Sequence, residues 1–122
     1  MKTVLIADDE PNLRLLVAGT IGSDLYDVVE AADGDEAWAA LEQHHPELAL
    51  LDVQMPGRTG LELARAIRGH PELATMKIIM LTSKAQQADI EAGLAAGADL
   101  YLTKPFSPIE LITAVEQALG LD

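Results

Sequence analysis

The chain has 122 residues and no cysteine, enough length for one buried core and no route to disulfides or thiolate metal sites. Its 20 acidic and 8 basic side chains leave a net charge of −12, which opposes direct contact with nucleic acid or anionic lipid. Aromatic content of 3% argues against a base-stacking surface, and no apolar stretch reaches membrane-spanning length, so a cytoplasmic protein is the expectation.

Met1-Lys2-Thr3 leads directly into a strand over residues 3–7 that ends in Asp8-Asp9. Pro11 then suits the first turn of a helix, where a missing N–H costs nothing. Leu13, Leu16, Val17 and Ile21 give that helix its apolar positions, and Gly22 ends it. Residues 26–31 mix polar and apolar side chains, as an edge strand does. A second helix starts near Asp33-Gly34 and stops at His44-His45 before Pro46, with Trp38 expected to pack it against the sheet. The run 48–51 is continuously apolar and ends in Asp52; the third helix covers 60–69 with Leu61, Ala64 and Ile67 on one face. Residues 77–81 form a fourth strand that runs into Thr82-Ser83, and a fourth helix lies between residues 86 and 96. The fifth strand, 100–103, ends in Lys104-Pro105, and a last helix over 108–119 is stopped by Gly120.

Strand alternates with helix throughout, which predicts an α/β fold with a parallel sheet. Near-continuous apolar strands fit a sheet covered by helices on both faces. In such sheets ligands bind beyond the carboxyl ends of the strands, where Asp8, Asp9, Asp52, Thr82 and Lys104 would gather. Clustered carboxylates repel and raise one another's affinity for protons or cations. A hard dication such as Mg²⁺ fits, since it takes one or two carboxylates and completes its shell with water and phosphate oxygens. Lys104 offers a point charge and Thr82 a hydroxyl for further phosphate oxygens, and an Asp carboxylate can itself be a nucleophile. Each residue also has a plain reading. An Asp at a strand end is ordinary in so acidic a chain, Thr82 is a common strand former, and Tyr101 is often structural in such a strand.

Taken together, four motifs resemble the response-regulator receiver domain of bacterial two-component signalling. They are Asp8-Asp9, the run Asp52-Val53-Gln54-Met55-Pro56-Gly57 followed by Gly60, Leu81-Thr82-Ser83, and the stretch from Gly97 to Phe106 containing Lys104-Pro105. The similarity spans essentially the entire chain, so residues 1–122 read as a single receiver domain. It implies a doubly wound, flavodoxin-like sheet of strand order 2-1-3-4-5. It also implies that Asp52 is the phospho-acceptor, supplied by the phosphohistidine of a histidine kinase or phosphotransfer domain. Mg²⁺ would be held by Asp9, Asp52 and the Gln54 carbonyl, with Asp8 acting through water. Thr82 and Lys104 would contact the phosphoryl oxygens, Thr82 and Tyr101 would form the switch, and an output protein or domain would read the face built by the fourth helix, fifth strand and fifth helix. Such a protein assists its own phosphorylation and dephosphorylation without being an enzyme in the ordinary sense. The resemblance implies a cis bond at Lys104-Pro105 as well. Ser83 stands where the family favours Ala or Gly and narrows access, while Gln54 and Lys84 occupy positions at which the family tunes phosphoryl lifetime. A haloacid-dehalogenase-type phosphatase shares this residue set, but it resembles Asp-x-Asp, against Asp8-Asp9-Glu10 here. A flavin carrier would need Ser, Thr or Gly where these acids stand.

Overall fold

The computed structural model describes residues 2–22, 26–83 and 87–120. Five strands and five helices alternate: β1 Lys2–Ala7, α1 Pro11–Ile21, β2 Tyr26–Ala31, α2 Gly34–His44, β3 Leu48–Asp52, α3 Gly60–Gly69, β4 Lys77–Thr82, α4 Gln87–Ala95, β5 Leu100–Thr103 and α5 Pro108–Leu119. The strands form one sheet of order β2-β1-β3-β4-β5, every neighbouring pair being parallel. The order, the edge position of β2 and the cis bond at Lys104-Pro105 agree with expectation. Among the described residues no helix is long and apolar enough to cross a membrane. Lys84 lies outside the described residues.

Side chains alternate across a strand, and the core divides accordingly. Val4, Ile6, Leu48, Leu50, Ile79 and Leu81 face one layer with α1 and α5, contributed by Val17, Ile21, Leu111, Ala114, Val115 and Ala118. Leu5, Ala7, Ala49, Leu51, Ile78 and Met80 face the other, which holds Ala37 and Leu41 of α2 and Leu63, Ala64 and Ile67 of α3. Both faces being covered is why the buried stretches of β1, β3 and β4 are apolar at successive positions.

Local chemistry fixes most helix ends. Pro11 starts α1, the Asp33 side chain accepts the Glu36 N–H at the start of α2, and reciprocal capping boxes join Thr59 with Glu62 and Ser107 with Glu110. Each such cap satisfies backbone donors that the helix leaves without partners. Trp38 packs from α2 against its layer of the core, as expected. It is half-buried at the edge of its layer, with the Arg58 guanidinium 4.9 Å above its ring and His70 edge-on at 6.0 Å. The inner positions of α2 are filled by Ala37 and Leu41, so the larger indole is turned toward α3.

Gly60 is where the fold touches the site most closely. A Cβ there would lie 2.2 Å from the Asp52 carbonyl oxygen and 3.1 Å from the Met80 sulfur, so only glycine lets α3 begin directly beneath the end of β3. Gly60→Ala should lower stability by about 1–3 kcal/mol through overpacking. Gly19→Ala, at an exposed helical position with nothing within 4 Å of the new Cβ, should raise it by about 0.5–1 kcal/mol. Urea unfolding of both variants checks the pair of signs.

Candidate functional site

Sheet register brings the reactive strand ends together. Ala7 pairs with Leu51, so Asp8 and Asp52 leave adjacent strands at the same level. Asp52 pairs with Leu81 and Thr82 with Thr103, which sets Thr82 and Lys104 beside them. Among the described residues the buried polar side chains are Asp8, Asp52 and Thr82. All three lie at this edge.

Lys104 is the hub. Its ammonium donates to Asp8 Oδ2 at 2.6 Å and Asp52 Oδ2 at 3.3 Å, with Glu10 Oε1 at 3.4 Å. The second oxygen of each buried carboxylate takes a backbone N–H: Glu10 N–H donates to Asp8 Oδ1 at 2.8 Å and Gln54 N–H to Asp52 Oδ1 at 3.2 Å. Arg14 steadies the loop from α1 through a 2.7 Å bond to the Asp8 carbonyl. Lys104 N–H donates to the Thr82 carbonyl at 2.7 Å, locking the start of the β5–α5 loop to the end of β4.

Electrostatics follow from this packing. Burial, then the neighbouring charge of Asp8, raise the Asp52 pKa from 3.8 to about 6, against the lowering effects of Lys104 and the Gln54 N–H. Burial disfavours the Lys104 charge, but its hydrogen bond to Asp8 and the charges of Asp52 and Asp8 outweigh it, and its pKa is raised. The ammonium therefore stays charged while Asp52 is held as an uncomfortable carboxylate.

A cleft of about 220 Å³ opens over these groups, lined by Asp9, Glu10, Asp52, Gln54, Thr82, Ser83 and Lys104. Every strand-end residue singled out from the sequence thus arrives at one edge, Asp8 beneath the cleft and the others on its wall. Tyr101 does not line it. Alternation puts Tyr101 in register with Met80, on the layer of α2, α3 and α4. Thr82, two residues beyond Met80, shares that face, whereas Asp52, Asp8 and Lys104 continue the face of Leu50, Ile6 and Leu102, toward α1 and α5.

The sequence reading missed Glu10. Asp8, Asp9 and Glu10 each offer an oxygen within 4.8 Å of the others, and Glu10 is the acid nearest Lys104 from outside the buried pair. The signal was available, as the third acid of the run just before Pro11. A larger cleft of about 360 Å³ lies at the opposite edge, among Lys2, Glu47, Glu72 and Lys77. Its charges are dispersed rather than convergent.

A raised Asp52 pKa means that the folded state binds the proton more tightly than the unfolded chain. Stability should therefore be highest below about pH 4 in this respect and fall as pH rises through 4 to about 6. With divalent cations removed, Asp52→Asn should be more stable than wild type by about 1–3 kcal/mol at pH 8. The difference should close toward about pH 3, where nearly all of both states of the wild type carry a neutral Asp52. Denaturant titrations of the two proteins at both pH values measure it.

Residues 4–116 match the response regulator receiver domain family. The phosphate regulon transcriptional regulatory protein PhoB of Pseudomonas aeruginosa is 40% identical over 118 residues, covering 97% of this chain and 52% of that protein. The response regulator GtcR of Aneurinibacillus migulanus is 36% identical over 118 residues, with 97% and 48% covered. The chain spans about half the length of these curated relatives. Among solved structures, the chemotaxis protein CheY4 of Vibrio cholerae superposes with a TM-score of 0.91 at 34% identity, covering 97% of this chain and 98% of that one. The sheet order, the acidic strand ends and these similarities have one explanation: the chain belongs to the receiver-domain family of two-component response regulators, whose signalling state is switched by phosphorylation.

Proposed function

We propose that residues 1–122 act as one receiver unit in which Asp52 takes a phosphoryl group from the phosphohistidine of a histidine kinase or phosphotransfer domain. The observation that carries this is the convergence of Asp52, Lys104, Asp8 and Thr82 at one edge, around a cleft of phosphate-admitting size. In the transfer, an Asp52 oxygen attacks phosphorus, the bond from phosphorus to the imidazole nitrogen breaks, and its electron pair leaves with the imidazole. Oδ2, which faces Lys104, is the reacting oxygen on this reading, because Oδ1 is engaged by the Gln54 N–H. Lys104 can follow the new charge from the carboxylate onto a phosphoryl oxygen with little movement. Return hydrolysis hands the phosphoryl group to water and regenerates Asp52, so the domain assists both its own phosphorylation and its dephosphorylation.

The donor set suits Mg²⁺. Crowded carboxylate oxygens on Asp8, Asp9 and Glu10 and the raised Asp52 pKa mark an excess of negative charge that a hard dication relieves. Asp9, Asp52 and the Gln54 carbonyl would hold it, and Asp8, fully buried with both oxygens engaged, would act through water. When bound, the ion supplies positive charge to neutralise the phosphoryl oxygens. Ser83, exposed on the cleft wall, narrows the approach without blocking it.

Readout would run through Thr82 and Tyr101. A phosphoryl group on Asp52 draws the Thr82 hydroxyl inward. Tyr101, on the same sheet face and diagonal to it across β4 and β5, can take up the space released. One or two charge-assisted hydrogen bonds are enough to move an equilibrium of a few kcal/mol. The altered surface is the one formed by α4, β5 and α5, where an output protein or domain binds in the cytoplasm. The net charge of −12 favours a protein partner over direct nucleic-acid contact.

Acetyl phosphate with Mg²⁺, followed by borohydride trapping and mass spectrometry, tests the assignment. Wild type should be labelled on Asp52, Asp52→Asn should fall to background, and Lys104→Ala should be slowed on the order of 10²-fold through loss of a preorganised charge. Asp9→Ala should bind Mg²⁺ more weakly by calorimetry. Rapid turnover of a small phosphomonoester would instead favour a phosphatase. For the switch, beryllofluoride should shift the Tyr101 amide in wild type and much less in Thr82→Ala, as read by NMR.

A further inference from the structure

Helix α4 is attached to the sheet differently from its neighbours. α3 buries Leu63, Ala64 and Ile67, and α5 buries Leu111, Ala114, Val115 and Ala118. Among the residues of α4 with described burial, only Gly93 is buried, followed by Ala96 just beyond the helix, and Leu94 is 48% exposed. A Cβ on Gly93 would stand 3.4 Å from Cε2 of Tyr101 and 3.8 Å from Cγ of Met80. The helix backbone thus rests on the Tyr101 ring with no large apolar side chain of its own, among these residues, set into the core.

At its carboxyl-terminal end, however, a single guanidinium ties it down. Arg68, in the last turn of α3, donates through Nε and Nη2 to the Gly97 carbonyl at 3.0 and 2.7 Å. Nη2 also reaches the Asp99 carboxylate at 2.9 Å, and Nη1 donates to the carbonyls of Ala74, at 3.1 Å, and Met76. All five N–H donors of the side chain are directed at acceptors in the α3–β4 and α4–β5 connections. Asp99 completes the clasp by accepting the Ile78 N–H at 2.8 Å, which fixes the start of β4. Gly97 has φ +114°, and a Cβ there would lie 2.6 Å from Cγ of Arg68, so the approach depends on glycine.

We propose that Arg68 is a positioning residue for the switch: it pins the carboxyl-terminal end of α4 through Gly97 and Asp99, so that a change at Thr82 and Tyr101 swings the helix about this point. The inference rests on the proposed readout through Thr82 and Tyr101. It concerns the sheet edge opposite the phosphorylation site, where nothing takes part in phosphoryl transfer.

The test compares wild type with Arg68→Lys, which keeps the charge but loses the fork of donors. Both are examined as the full chain by NMR and amide exchange, with Mg²⁺ and with or without beryllofluoride. In wild type the Gly97, Asp99 and Ile78 amides should keep the same protection in both states, while Gly93 and Tyr101 shift. In Arg68→Lys, acetyl phosphate should label Asp52 at about the wild-type rate. Protection at Gly97 and Asp99 should fall at least tenfold and become dependent on beryllofluoride, and the shift at Tyr101 should shrink. Wild-type-sized shifts at Gly93 and Tyr101 in a destabilised Arg68→Lys would overturn the pivot alone and leave Arg68 a structural residue. No shift at Tyr101 in wild type, with Asp52 labelled normally, would overturn the readout and the pivot with it. If Arg68→Lys does not fold, Asp99→Asn, which removes the carboxylate charge at similar size, carries the same comparison.

Discussion

Two buried carboxylates facing one ammonium form the constraint around which this protein is arranged. Asp8 and Asp52 lie side by side because β1 and β3 are neighbours in the sheet, and Lys104 reaches both. One positive charge does not fully compensate two negative ones out of water. The balance is visible in Asp52, where burial and the repulsion of Asp8 outweigh Lys104 and push the pKa to about 6. A group kept in an unfavourable charged state responds strongly to anything that redistributes charge around it. The same imbalance that costs stability is what the proposed dication and phosphoryl group would relieve.

Alternation along the strands separates the charged cluster from the residues of the proposed readout. Asp8, Asp52 and Lys104 belong to the parity that faces α1 and α5, while Thr82 and Tyr101 belong to the parity that faces α2, α3 and α4. Thr82 is therefore the residue at which the two meet: its position borders the cleft, and its strand face leads to Tyr101 and Gly93. A shallow apolar groove beside the cleft, with Leu13, Leu16, Pro105 and Phe106 on its wall, lies on the α1 side. On the proposed function, approach of a phosphoryl donor and display of the result would use different surfaces.

The two edges of the sheet also differ in how their polar groups are satisfied. At the amino-terminal end of β4 and β5, Arg68 and Asp99 satisfy backbone groups from two connections at once. At the carboxyl-terminal end, exposed Asp9 and Glu10 stand over a solvent-open cleft. In the proposed pivot, the Arg68 contacts would supply the fixed end, far from the charged edge.

Much of this was legible in the sequence because its signals are local. Pro11 and Gly22 bracket α1, Asp33 marks the start of α2, Gly120 stops α5, and apolar runs too continuous for a half-exposed strand announced a doubly covered sheet. The strand-end residues Asp8, Asp52, Thr82 and Lys104 were identifiable for the same reason: each interrupts an apolar run. What pairs across distance was not legible. That Glu10 joins the Lys104 cluster, that Trp38 lies under Arg58, and that Arg68 reaches residues 29 and 31 positions away depend on how helices settle on the sheet. Which residues end strands, and where helices start and stop, could be read residue by residue, since backbone propensity and capping act within a few neighbours. Which charges share one ammonium and which connections Arg68 joins had to wait for packing, because those follow from register between segments that the chain holds far apart.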